Sequence, residues 1–336
     1  MKKLKILVFE YITGGGFNKS DLPESLAREG LLMLRSLLDG LSKITSVEVF
    51  IMLDSRMVEN LPHQLKNSHI IDSEKNCHQE FTRLTALYDA VWPIAPESGS
   101  ILQTLCEEAE RSGKILLTSP ASAVAVAGDK WLTYGRLKEH SIATVPTQRL
   151  ADFGFTSGEW LIKPFDGVGC EDSYLVTDHD AFATITANLD KGKYLVQPHI
   201  PGEKTSLSCL FKQGRGWLLC ANRQHFDLIN KQYRLAGITV NFTPDISQYR
   251  HLLNEVAKAM PELWGYVGID LIETSDQILV LEINPRLTSS YVGLNEALGV
   301  NCAEAVLGLL AGDPLLQPTR NQPIYITITG KENDAN

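Results

Sequence analysis

The chain has 336 residues, 44% of them hydrophobic and 21% charged, with a formal net charge of −9. That length predicts two or three domains rather than one core, and the acidic balance excludes a general nucleic-acid-binding role, which needs a basic surface, while leaving room for a local basic pocket. No window approaches 18 uninterrupted apolar residues, so no membrane span is expected. Cys77, Cys106, Cys170, Cys209, Cys220 and Cys302 form no CxxC pair and have no histidine at ligand spacing, which suits reduced thiols in a cytoplasmic protein.

The first segment, MKKLKILVFEYI, reads as a strand over 4–12 rather than a signal peptide, because Lys5 and Glu10 break its apolar run and no cleavage site follows. It leads into Thr13, Gly14, Gly15 and Gly16. A helix is predicted from Pro23, with Ala27, Leu31, Leu34, Leu37 or Leu38 and Leu41 as its apolar stripe. The pattern then repeats: strand 46–53, helix near 78–87, strand near 88–94, helix 97–112, strand 114–119. Strands alternating with helices predict a doubly wound parallel sheet covered on both faces. The glycine run fits neither GxGxxG nor GxxxxGK[ST], so Glu10, Tyr11 and Gly14 to Gly16 stay open between a substrate contact at the ligand-binding end of the sheet and a purely structural turn.

Beyond Ser119 the chain offers a short Ala-rich helix and a second helix opened by Asp129. Residues 160–176 read as strand, glycine-rich loop and strand, followed by a helix near 179–189 and a strand over 193–197. A hairpin is predicted over 205–224 through Gly214, Arg215 and Gly216, then a helix near 245–259. Residues 265–286 form a second hairpin around Thr274, Ser275, Asp276 and Gln277. If the turn centres on Asp276, Asp270 faces Glu282, and Asn284 shares their face. Two facing carboxylates repel unless a hard cation such as Mg2+ lies between them; the alternative is a solvated acidic face. Lys163, on a strand beside Asp166, Gly167, Val168 and Gly169, suits a phosphate, as does Lys130 at a helix start, though either lysine could be a surface charge.

Asp129-Lys130, LIKPFDGVG (161–169), QPHIPG (197–202), GYVGIDLIE (265–273) and LEINPRLTSSYVGL (281–294) together resemble the ATP-grasp superfamily in order and spacing. The resemblance implies an α/β and α+β chain: a pre-ATP-grasp domain over 1–120, a small lobe with linker helices over 121–200, a C-terminal lobe with the metal hairpin over 201–330, and a tail over 331–336. It implies ATP and Mg2+, or Mn2+ in its place. Lys130 and Lys163 would contact phosphates, and the loop from Asp166 to Cys170 would cover them. Gln197, Pro198, His199 and Ile200 would form the adenine hinge. Asp270, Glu282 and Asn284 would bind the metal, and Arg286, with Arg223, would stabilise the transferring phosphoryl group. The usual ribose-binding Glu position holds Lys204, so either a register shift lets Glu203, one place earlier, reach the ribose or another residue does that job.

VFEYITGGG (8–16), LPESLAREGLLMLRSLL (22–38) and NPRLTSSYVGL are further similar to the tyramine-glutamate ligases of methanofuran biosynthesis and their relatives in methylotrophic bacteria. This implies an ADP-forming amide ligation of glutamate to tyramine through an acyl phosphate. Glu10, Tyr11 and Gly14 to Gly16 would line the substrate cleft, and Thr288, Ser289 and Ser290 would lie beside the reacting carboxylate. The partners implied are small molecules, neither nucleic acid nor membrane, and a homodimer is admitted. The alternatives are another amino-acid or dipeptide ligase, a non-catalytic nucleotide-binding protein, and a metal-dependent hydrolase.

Overall fold

The computed structural model describes residues 2–61, 66–167, 172–229 and 232–328. Its first sheet holds β1 (Leu4–Glu10), β2 (Val47–Asp54), β3 (Ser68–Ile71), β4 (Ala90–Ile94) and β5 (Ile115–Leu116), all parallel, in the order 3-2-1-4-5. Alternation along β1 explains how both faces are covered. Ile6 and Val8 meet the Leu31, Leu34, Leu37 and Leu41 stripe of α1 (Glu24–Ser42). Leu7 and Phe9 meet Phe81 and Leu84 of α2 (Cys77–Thr85) and Leu102 and Leu105 of α3 (Ile101–Arg111) on the other side. β3 was not predicted, since four residues, Ser-His-Ile-Ile, are too few to display a period.

Two helices follow, α4 (Ala121–Ala127) and α5 (Lys130–Glu139). Asp129 caps α5 as expected, its carboxylate accepting from the backbone N–H of Trp131 and Leu132 at 2.8 and 3.1 Å. The second sheet joins β6 (Gln148–Arg149), β7 (Trp160–Pro164), β8 (Tyr174–Val176) and β9 (Tyr194–Pro198) in the order β6-β9-β7-β8, with Phe182 and Ile185 of α6 (His179–Thr186) packed on its core residues Ile162 and Val176.

The third sheet is antiparallel: β10 (Glu203–Lys212), β11 (Arg215–Ile229), β12 (Gln232–Val240), β13 (Gly265–Glu273), β14 (Ile278–Asn284) and β15 (Ile324–Thr327), in the order β14-β13-β10-β11-β12-β15. Leu253, Val256 and Ala257 of α7 (Arg250–Ala259) cover one face against Leu207, Cys209 and Phe211. The other face shares a continuous core with α1, α8 (Leu294–Leu298) and α9 (Cys302–Gly308). The predicted 205–224 hairpin is present, turning one residue earlier, at Gln213 and Gly214, both at positive φ. β12, which pairs with the far half of β11, was not foreseen.

The 265–286 hairpin has the expected pairing of Asp270 with Glu282 and of Gly268 with Asn284. Nearer the turn the register changes, with Leu271 opposite Val280, so Leu281 is the extra residue of a bulge. The turn is therefore centred half a residue from Asp276, and the bulge restores the carboxylates to opposite positions.

Candidate active site

At the heart of the site two acids face each other across β13 and β14. Burial first, and then the neighbouring Glu282, push the Asp270 carboxyl well above its usual range. Burial also acts upward on Glu282, but Lys130 and Lys163 outweigh it and bring that carboxyl down to about 2. Lys130 Nζ lies 3.3 Å from Glu282 Oε2 and donates to the Gly167 carbonyl at 2.5 Å, so this lysine ties the glycine-rich segment to the hairpin. Gln224 Nε2 donates to Asp270 Oδ1 at 3.2 Å, and Asn284 Nδ2 donates to Asp270 Oδ2 at 3.3 Å. This oxygen-rich set, with an amide that presents its oxygen on rotation, fits a hard divalent cation; the acids' mutual repulsion is the cost such an ion removes.

Two cavities meet at these acids. One, of about 110 Å³, lies between the second and third sheets and is lined by Lys130, Lys163, Gly167, Gln197, Pro198 and Lys204. The other, of about 360 Å³, opens towards the carboxyl ends of β1 and β4, where the order of the first sheet reverses. Asp270, Glu282, Gln224 and Phe226 line both.

In the smaller cavity Gln197 is 3% exposed; its Nε2 donates to Thr147 Oγ1 at 2.9 Å, while Oε1 is buried with no partner among the described residues. A buried acceptor left in this state is a place for a ligand N–H. His199 is held between Glu159 and Tyr233, at 2.6 and 2.8 Å, and the Ile200 carbonyl accepts from Lys204 Nζ at 3.2 Å. Asp166 turns to the first sheet domain, accepting from the Gly99 N–H at 2.9 Å. Val168, Gly169 and Cys170, and the 331–336 tail, lie outside the described residues.

The larger cavity takes Glu10, Tyr11 and Gly16 from the first strand and its turn, and Arg286, Thr288, Ser289 and Ser290 from beyond the hairpin. Glu10 is 2% exposed and accepts from the Thr13 N–H at 2.7 Å, the Thr13 hydroxyl at 2.5 Å and the Ile12 N–H at 3.2 Å; burial nevertheless pushes its carboxyl up to about 7. Gly30 of α1 makes room for it, since a Cβ there would stand 2.5 Å from a Glu10 oxygen. Apolar side chains, among them Leu26, Met33, Leu235 and Ile238, complete the wall, and Glu29 adds a fourth acid to Glu10, Asp270 and Glu282, bonded by the Ser289 hydroxyl.

Four sequence expectations need correction. Gly14 and Gly15 do not line the cavity; a Cβ on Gly14 would strike Phe9, and Gly15, at φ +109°, packs on Ile71, so both serve the turn. Arg223 and Glu203 pair with each other at 3.0 Å on the opposite face of the third sheet, where Arg223 also stacks on Phe242. Alternation sends their neighbours Gln224 and Lys204 into the cavities instead. Glu29, Phe226 and Gln224 were not foreseen as site residues. Gln224 carried no signal in the sequence, because its place depends on the pairing of Asn222 with Ser206 and of Ser206 with Asp270.

Residues 127–290 match the ATP-grasp domain family and residues 47–124 the pre-ATP-grasp domain family. The tyramine–L-glutamate ligase of Methanocaldococcus fervens is 28% identical over 98% of this chain and 99% of its own length. That of Methanocaldococcus jannaschii is 29% identical over 86% of this chain and 84% of its own length. Among solved structures, one described as of the ATP-grasp superfamily from Archaeoglobus fulgidus superposes with a TM-score of 0.73 at 24% identity, covering 97% of this chain and 92% of that one.

Proposed function

From the premise that this chain belongs to the ATP-grasp superfamily and is an ATP-dependent, amide-forming ligase, we propose that it joins the γ-carboxylate of glutamate to tyramine, releasing ADP and phosphate. The observation that carries this reading is the junction of the two cavities at Asp270 and Glu282. A nucleotide in the smaller one presents its γ-phosphoryl group where a carboxylate in the larger one can meet it. A carboxylate cannot expel oxide, so its oxygen first attacks the γ-phosphorus and ADP leaves. The amine nitrogen then attacks the acyl carbon of the acyl phosphate, phosphate leaves, and the nitrogen loses its proton.

In this assignment Gln197 Oε1 accepts from the adenine amino group, beside Pro198, His199 and Ile200. Lys130 and Lys163 neutralise the phosphates, with Gly167 beside them. Asp270, Glu282 and Asn284 hold Mg2+, or Mn2+ in its place, which when bound supplies charge neutralisation for the phosphoryl group. Lys204 stands where a ribose-binding acid is usual, so the ribose meets an ammonium donor. Thr288, Ser289 and Ser290 flank the carboxylate. The domain limits proposed for this arrangement are 1–120, 121–200 and 201–330.

The acceptor wall favours an amine over an amino acid. Among the residues lining the larger cavity the charged side chains are Glu10, Glu29, Asp270, Glu282 and Arg286. Arg286 already pairs with Glu97 and its remaining N–H groups serve the reacting carboxylate, so a carboxylate on the acceptor would meet mainly acids, whereas an ammonium group and an apolar ring suit the Glu10, Met33, Leu235 and Ile238 surface. Among the described residues no helix is long and apolar enough to cross a membrane.

The test is ADP release by the pure protein with ATP, Mg2+ and glutamate against a panel of amines and amino acids. Release that requires glutamate and an aralkyl amine together is expected. Release with amino-acid acceptors and none with tyramine would replace the substrate assignment.

A further inference from the structure

Glu97 follows β4 by three residues and reaches Arg286, 189 positions later in the chain. Both are enclosed, at 8% and 9% exposure. Arg286 Nε lies 3.0 and 3.1 Å from the two Glu97 oxygens and Nη2 lies 2.9 Å from one of them, a bidentate grip. Nη1 donates to the Leu287 carbonyl at 3.1 Å. Of the five guanidinium N–H groups, three are thereby engaged among the described residues, and one remains on each terminal nitrogen. Arg286 lines the larger cavity beside Asn284.

The turn that begins at Glu97 is itself pinned. Its Gly99 N–H donates to Asp166 of the glycine-rich segment at 2.9 Å, and Gly99 and Ser100 are both left-handed, at φ +60° and +57°. Glu97 also packs on Gly128, where a Cβ would approach its own Cβ to 3.0 Å. The first sheet domain thus touches both the segment beside the phosphates and the arginine beside the carboxylate through one short turn.

We propose that Glu97 is a positioning residue for the ligation: it locks the guanidinium of Arg286 so that its two remaining N–H groups meet the carboxylate oxygens as they take up the phosphoryl group. A free arginine would have to be ordered in each turnover; one held by a buried carboxylate is ordered beforehand. Because the pair is buried, Glu97 also keeps the arginine charge from standing alone. The inference rests on the ligase reading above.

The experiment compares wild type with Glu97→Gln, which keeps the length and loses the charge, and Glu97→Asp, which keeps the charge and draws it back by one methylene. Rates are taken per folded protein, with thermal melting as the control. The expected result is a fall in kcat of about 30-fold or more for Glu97→Gln, a smaller fall for Glu97→Asp, and a KM for ATP within about 2-fold of wild type. A kcat within about 3-fold of wild type in the folded variants, with only the melting temperature lowered, would overturn the proposal and leave Glu97 as a tie between domains. Should wild type fail to turn over glutamate and tyramine, the ligase reading fails separately. Titration with inorganic phosphate in the presence of ADP and Mg2+ then decides about Glu97: about 10-fold weaker binding in Glu97→Gln supports its role, and equal binding contradicts it.

Discussion

Glu10 illustrates how one side chain can serve both fold and site. It ends β1, caps the turn over 12–16 through Thr13 and Ile12, and faces the larger cavity. Burial pushes its carboxyl up from 4.5 to about 7. Between those values the native protein keeps a proton that the unfolded chain has lost. Stability from this group is therefore complete below about pH 4.5, falls as pH rises to about 7 and is level above it, a difference of about 3 kcal/mol. Glu10→Gln should remove that slope, read as the urea midpoint of variant and wild type at pH 5 and pH 8; parallel slopes would contradict the assignment. The sequence marked Glu10 as a candidate by its place at the carboxyl end of the first strand and by resemblance, but a glutamate at the end of an apolar strand carries no mark of its three hydrogen bonds. Gln197 Oε1 is similar. Its lack of a partner among the described residues accompanies Thr147, 50 residues away, taking the other end of the amide.

At the scale of elements, strand alternation decides which residues reach the chemistry. Arg223 and Gln224 are neighbours on β11, yet Arg223 pairs with Glu203 on one face and Gln224 bonds Asp270 on the other. Arg223→Ala should leave kcat within about 3-fold of wild type, whereas Gln224→Ala should lower it by about 10-fold or more by freeing Asp270. Steady-state ADP release on both variants checks this, and the reverse ranking would contradict the face assignment. The Asp270 to Glu282 hairpin was legible because its two apolar runs flank a polar turn and its acids fall in register. The Leu281 bulge was not, since an extra residue in a strand leaves the composition unchanged. β3 and β12 escaped for related reasons: one is too short to show a period, and the other pairs with a part of β11 that lies beyond the predicted hairpin.

Across the whole molecule, three sheets contribute to one reaction volume. The order of the parallel sheet could be anticipated in kind from alternating strands and helices, and it puts the ends of β1 and β4 beside the hairpin. The contacts between sheets could not, because no local pattern links Glu97 to Arg286 or Gly99 to Asp166. Those contacts tie the first sheet to an arginine of the larger cavity and to the glycine-rich segment, and in the proposed reaction a substrate carboxylate is phosphorylated where the two cavities meet, before the amine attacks. The most direct measurement uses glutamate labelled with 18O in its γ-carboxylate, with ATP, Mg2+ and tyramine, and follows the label by mass spectrometry. One 18O in the inorganic phosphate is expected for each γ-glutamyltyramine formed, with ADP as the other product. Amide formation with unlabelled phosphate, or with the label in AMP, would contradict it.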